Sequence, residues 1–120
     1  VSPTEDQIAS MKFAVRVCEQ VKSNAIIMVQ GLATVGIGPG QTSRVEAVKI
    51  AARRAGERGQ GCVLASDAFF PFKDGIEQAA EAGAASIVQP GGSIRDQEVI
   101  DEANARGMSM LFTSHRLFRH

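Results

Sequence analysis

The feature that most limits what this chain can fold into is an alternation running through its second half. Three short apolar runs, 62–65, 84–88 and 108–112, are separated by stretches whose apolar residues recur at helical spacing. Strand–helix–strand units force parallel pairing, because only a long crossover returns the chain in the same direction. Those crossovers are right-handed. A chain of 120 residues then has room for one α/β domain over 1–120, with a core large enough to need no disulfide or metal staple.

The first half supplies a helix and a hairpin. Ser2 reads as a cap, Pro3 suits the first helical position and Glu5 completes a capping box. Ile8, Met11, Val15 and Cys18 then share one face to about Val21, with Phe13, Ala14 and Val17 broadening it. Two apolar runs, 25–29 and 34–37, lie so close across Gly31 that they must pair antiparallel. The expected architecture is a mixed sheet of about five strands, one antiparallel edge strand on a parallel set, with helices on both faces. Ser43 and Glu46 read as a second capping box, opening a helix with Val45, Val48, Ala52 and Ala55 inward. Asp74 reads as the cap of a third helix. A fourth covers about 96–106, with Val99, Ile100 and Ala103 inward and Gly107 as its stop.

In such sheets ligands bind outside the carboxyl ends of the strands. Those ends are the loops 38–44, 66–74 and 89–95 and the tail from Thr113; the hairpin brings Asn24 to the same edge. The loop 66–74 holds three of the chain's six Phe residues, in a protein without Trp or Tyr. Aromatic surface at a strand-to-helix loop is either a platform for a flat ligand or a cap on the core. Phe69, beside Asp67, suits stacking, and Phe70 and Phe72 suit packing around Pro71.

Gly36-Ile37-Gly38-Pro39-Gly40 departs from the dinucleotide fingerprint in spacing, and no acidic residue ends the next strand. It also lacks the Gly-Lys-Ser/Thr ending of a phosphate loop. A helix start beside Arg44 remains, suited to an anion or to nothing beyond capping. Pro90-Gly91-Gly92-Ser93 is a turn whose glycines would let a ligand approach backbone amides, or turn chemistry alone.

Charge excludes more than it proposes. Thirteen basic residues balance 13 acidic ones without a basic patch, so neither nucleic acid nor a membrane surface is an expected partner. Cys18 and Cys62 lack metal spacing and read as buried free thiols. No signal peptide or bilayer-length apolar run is visible, and a reducing, cytoplasmic setting is expected. There is no Ser/His/Asp arrangement and no metal constellation.

Five separated motifs carry a resemblance that covers essentially the whole chain. Val21-Lys22-Ser23-Asn24-Ala25-Ile26, Gly38 to Val45, Ser66 to Asp74, Gln89 to Ser93 and Leu117-Phe118-Arg119-His120 resemble the bifunctional purine biosynthesis proteins. The region resembled is the C-terminal end of their AICAR transformylase part. The resemblance implies a cytidine-deaminase-like three-layer fold used without zinc. Zinc deaminases carry ligands at the starts of two helices, where this chain has Gln41-Thr42-Ser43-Arg44 and Phe70-Pro71-Phe72-Lys73. It implies formyl transfer from 10-formyltetrahydrofolate to the 5-amino group of AICAR, giving FAICAR.

By motif, Asn24, Arg44, Phe69 and Arg116 look like nucleotide contacts, and Val45, Asp74, Ser93 and Ile94 look like folate contacts. Phe69 would flank the imidazole and Asp74 would suit the amino-substituted pterin. The Lys-His pair that the resemblance implies for catalysis has no counterpart here, and His115 and His120 do not match it. The cyclohydrolase domain is likewise unmatched. The implied partners are AICAR, the folate, and a homodimer or other chain completing the site. The rival readings are an inert folding, dimerisation or nucleotide-binding module, and a general nucleotide-binding regulator.

Overall fold

The computed structural model describes residues 2–21, 25–40, 44–67, 70, 73–92 and 94–113, with 44, 45 and 74 as backbone alone. In chain order the elements are α1 (Glu5–Gln20), β1 (Ile26–Gln30), β2 (Ala33–Gly38), α2 (Arg44–Ala55) and a 3-10 turn (Gly56–Gly59). These are followed by β3 (Val63–Ser66), α3 (Asp74–Glu81), β4 (Ser86–Gln89), α4 (Asp96–Ala105) and β5 (Ser109–Phe112). The five strands form one sheet in the order β2-β1-β3-β4-β5.

The α/β class, the mixed five-strand sheet and helices on both faces are as the sequence predicts, with one correction to the topology. β1 runs antiparallel to both β2 and β3, while β3, β4 and β5 are mutually parallel. The reversed strand is therefore β1, one place in from the edge, and the edge strand β2 runs with the parallel set. The reason is connective. From β2 the chain crosses over β1 through α2 to reach β3, so β2–α2–β3 is a crossover unit like the two that follow. All three crossovers advance in one direction across the sheet, and a constant hand puts their helices on one face.

Packing follows that division. β1 sends Ile26 and Met28 toward α2, α3 and α4, joining Leu64, Phe70, Ile76, Ile87 and Val99. It sends Ile27 and Val29 to the opposite face, where Met11, Ala14 and Cys18 of α1 meet Val63, Ala65 and Val88. Cys18 and Cys62 are both buried and neither is in a disulfide; they lie in clusters on opposite faces of the sheet.

Three local expectations are corrected. Thr4, rather than Ser2, caps α1: its Oγ accepts from the Gln7 amide at 3.1 Å and the Gln7 side chain accepts from the Thr4 amide at 3.0 Å. Both pairs fit the capping-box spacing, but Gln7 Oε1 also accepts from Ser109 Oγ of β5 at 3.0 Å. The sheet thus selects the second box. Asp74 is not a cap. Lys73 already has helical angles, and its carbonyl accepts from Ile76 and Glu77 at 3.0 and 3.1 Å, so Asp74 stands inside the first turn. In α2 the buried line is Ala47, Val48, Ala51 and Ala55, with Ala52 only partly buried. Ser43 lies outside the described residues.

Ala47 and Ala51 are buried because β2 offers glycines opposite them. A Cβ on Gly38 would stand 2.0 Å from the Ala47 carbonyl oxygen, and one on Gly36 would stand 2.2 Å from that of Ala51. The Gly-Ile-Gly run is a groove for the backbone of α2.

Candidate functional site

The carboxyl ends of β2, β3, β4 and β5 open on one edge of the sheet, together with the amino end of β1. Ile26 pairs with Gly38 on one side and with Ser66 on the other, and the Ala25 carbonyl accepts from the Asp67 amide at 3.3 Å. The hairpin argument therefore places residue 25 beside two of the predicted loops.

Phe70 settles part of the aromatic loop. It is fully buried and lies in the core among Leu64, Ile76 and Ile87. Its ring rests on Gly75, where an added Cβ would be 2.3 Å from Phe70 Cδ1. Phe70 thus packs, as expected, into the core; Pro71 and Phe72, expected to pack with it, lie outside the described residues. Its amide donates to Oε1 of Gln89 at 2.9 Å. Gln89 is itself fully buried; its Nε2 donates to Met110 Sδ at 3.3 Å and its carbonyl accepts from Thr113 at 2.8 Å. Asp67, also fully buried, ends the strand side of the same loop.

The Pro-Gly-Gly turn is more closed than its glycines suggest. The Gly92 amide donates to Asp96 Oδ2 at 2.8 Å. Gly91, at φ +75°, lies so near the Phe112 ring that a Cβ would be 2.8 Å from Cδ2. Those two points are occupied by the protein's own groups. Ile94, in contrast, is fully exposed, its side chain free to meet another body.

Of the residues expected to bind, Arg44 and Val45 open α2 and Asp74 opens α3, both helices starting at the same edge. Ile94 lies just ahead of α4. Asn24, Phe69, Ser93 and Arg116 lie outside the described residues. Open apolar troughs lie elsewhere, along the unpaired side of β5. One of about 560 Å³ is lined by Pro3, Ile100, Ala103, Met110 and Phe112, another of about 380 Å³ by Ile8, Met11, Val15, Val88 and Leu111. The second also has Lys12, Arg16 and Glu19 of α1 along its wall, and neither trough includes a residue expected to bind. Among the described residues no His, Cys, Asp and Glu cluster could hold a metal ion, and no helix is long and apolar enough to cross a membrane.

The chain is 52% identical over all of its length to the bifunctional purine biosynthesis protein PurH of Ruminiclostridium cellulolyticum, covering 23% of that protein. It is 54% identical over 98% of its length to PurH of Acetivibrio thermocellus, again covering 23%. The chain is similar throughout to one end of PurH. A family profile described as AICARFT/IMPCHase bienzyme matches residues 1–54, and PurH of Sorangium cellulosum is 56% identical over 99% of the chain. The chain thus spans about a quarter of the length of the PurH proteins it matches. Among solved structures, Acinetobacter baumannii RibD, form 2, superposes with a TM-score of 0.60 over 89% of this chain and 34% of that one, at 15% identity. That likeness shows the fold alone, and the fold is cytidine-deaminase-like.

Gln89 is the residue of this edge to which sequence reasoning gave no role. The available signal was a Gln directly after the apolar pair Ile87-Val88 and immediately before Pro90.

Proposed function

We propose that this chain serves purine biosynthesis as the nucleotide- and folate-contacting part of a formyl-transfer site. The observation that carries this reading is the similarity to PurH at 52% identity over the whole chain. The meeting of β2, β3, β4 and β5 ends at one edge supports it.

In the proposed reaction the 5-amino nitrogen of AICAR attacks the formyl carbon of 10-formyltetrahydrofolate. The new N–C bond forms, the bond from that carbon to N10 breaks, the amino group loses a proton and N10 gains one. FAICAR and tetrahydrofolate leave. Asn24, Arg44, Phe69 and Arg116 contact the nucleotide, with Phe69 against the imidazole. Val45, Asp74, Ser93 and Ile94 contact the folate. The attacking amine is weakly basic, so its proton needs a positioned base. That base comes from another polypeptide segment, which a homodimer or partner chain brings to the site.

Calorimetry on the 120-residue chain tests the binding role, with AICAR, an adenosine nucleotide and a stable folate analogue as titrants. AICAR is expected to bind and the adenosine nucleotide to bind more weakly. Equal binding of the two nucleotides would favour a general nucleotide-binding regulator, and absence of AICAR binding would overturn the proposal. A turnover assay with both substrates then separates the roles. Product from the chain alone would refute the external base, whereas binding without product fits a site part or a binding module. In an assembled enzyme Asn24→Ala separates these, since only a role in the reaction lowers turnover.

A further inference from the structure

We propose that Gln89 is the positioning residue of this edge, fixing the aromatic loop against β4 and β5 and so setting the nucleotide side relative to the folate side. The inference gives Gln89 a role in catalysis only through the site proposed above.

A buried primary amide is costly unless its hydrogen bonds are replaced. At the end of a fully buried strand, Leu or Met would fill space at lower cost. Gln89 is nevertheless fully buried, and its polar atoms reach two other segments, the aromatic loop and β5 with its immediate continuation. Oε1 accepts from the amide of Phe70 at 2.9 Å. Nε2 donates to the sulfur of Met110 on β5 at 3.3 Å. The main-chain carbonyl accepts from Thr113 at 2.8 Å, where the tail begins. Sulfur is a weak acceptor, so the bond to Phe70 is the one that justifies an amide here.

Phe70 is thereby held at two points. Its ring is seated in the core against Gly75 and its main chain is tied to Gln89. Phe69, the proposed stacking ring, is the residue before it in the chain. Asp74, proposed for the pterin, follows four residues later. On the other side of Gln89 come Pro90 and the turn leading to Ser93 and Ile94, and Thr113 leads to Arg116. One side chain with its carbonyl therefore joins the three segments that carry most of the proposed contacts. In a two-substrate transfer, small displacements between bound partners are expensive in rate.

The test uses the 120-residue chain with amide hydrogen exchange by NMR and AICAR calorimetry. Gln89→Leu removes the acceptor while keeping bulk. Its Phe70 amide is expected to exchange about ten-fold faster relative to the Leu64 and Ile87 amides, and its Kd for AICAR to rise about ten-fold. Gln89→Glu keeps a carboxyl oxygen as acceptor, protonated or not, and is expected to stay within about three-fold of the parent on both readouts. Loss of stability alone would raise exchange at all three amides together and leave the affinity of folded protein unchanged.

Unchanged Phe70 exchange in Gln89→Leu, or equal losses in the Leu and Glu variants, overturns the proposal. If Gln89→Leu does not fold, Gln89→Met carries the same comparison. If the parent chain fails to bind AICAR, the functional reading falls, and selective loss of Phe70 protection still decides whether Gln89 pins the loop.

Discussion

Replacing Gly38 by Ala probes the contact that brings the start of α2 to the candidate site. Gly36 and Gly38 lie two residues apart on one face of β2, and Ala47 and Ala51 lie four apart on α2. The two repeats are nearly equal, about 7 Å along a strand and about 6 Å along a helix, so each glycine meets one alanine. A Cβ at Gly38 would be 2.0 Å from the Ala47 carbonyl oxygen and 2.9 Å from its carbon. That is more than about 1 Å inside ordinary contact, and the obstacle is main chain, which has no rotamer to change. Overpacking of this kind costs about 3 kcal/mol, at the upper end of its usual range. Loss of glycine's freedom in the unfolded chain returns about 0.5–1 kcal/mol, leaving a net loss of about 2 kcal/mol. Against a total of about 5–15 kcal/mol, this lowers the urea midpoint measurably at unchanged m-value. It lowers the thermal midpoint by roughly 8 °C. Adding Ala47→Gly should not restore stability, because the blocked atom is a carbonyl oxygen. Gly31→Ala is the contrasting variant. It meets nothing within 4 Å but has φ +60°, so it should cost about 1 kcal/mol through backbone strain alone. A neutral or stabilising Gly38→Ala, or rescue by Ala47→Gly, would refute the steric argument.

Two further expectations concern stability. Thr4→Ala removes the cap that also organises Gln7 beneath β5 and should cost about 1 kcal/mol in urea unfolding, whereas Ser2→Ala should cost nothing measurable. Burial pushes the Cys62 thiol up from 9.0 to about 12. A raised folded value means that the stabilisation is intact below pH 9 and is lost as pH rises toward 12, when only the unfolded thiol ionises. Stability at pH 10 should therefore be about 1.4 kcal/mol lower than at pH 8 on this account. Cys62→Ala should flatten that part of the profile, and an unchanged slope would show that the thiol is not its source.

The parts of the fold that were legible in the sequence are those written in hydropathy. Apolar runs and helical spacing placed every described strand and helix within a few residues of its position. Convergence of loops at one edge followed from the parallel crossovers. What hydropathy does not encode is size. Ala47 and Ala51 read as indifferent helix residues, and they are buried because they are small enough to lie on glycine. The same blindness is why Gly36-Ile37-Gly38 had to be weighed against a dinucleotide fingerprint, from which its spacing departs. Glycine permits close approach by a ligand or by a helix equally well, and the neighbour that arrives is decided by tertiary packing. The place of β1 inside the sheet is similar: an antiparallel hairpin is visible locally, but the side of β1 on which β3 docks is set by the α2 crossover.

The aromatic loop was conspicuous for the opposite reason. Rings between polar groups at a strand end are costly in water, so their presence asks for an explanation. Phe70 supplies one by burying its ring against Gly75. The group that fixes its main chain is harder to see, because glutamine is ordinarily a surface residue and reads as one. Gln89 becomes informative only when its side chain is found without solvent contact and with its oxygen on the Phe70 amide. A buried amide that binds backbone lends geometry, because an apolar replacement would leave the buried Phe70 amide without its acceptor and free the loop. Stability and positioning are therefore lost together in Gln89→Leu, and it is the selective loss at Phe70, set against the Glu variant, that separates them.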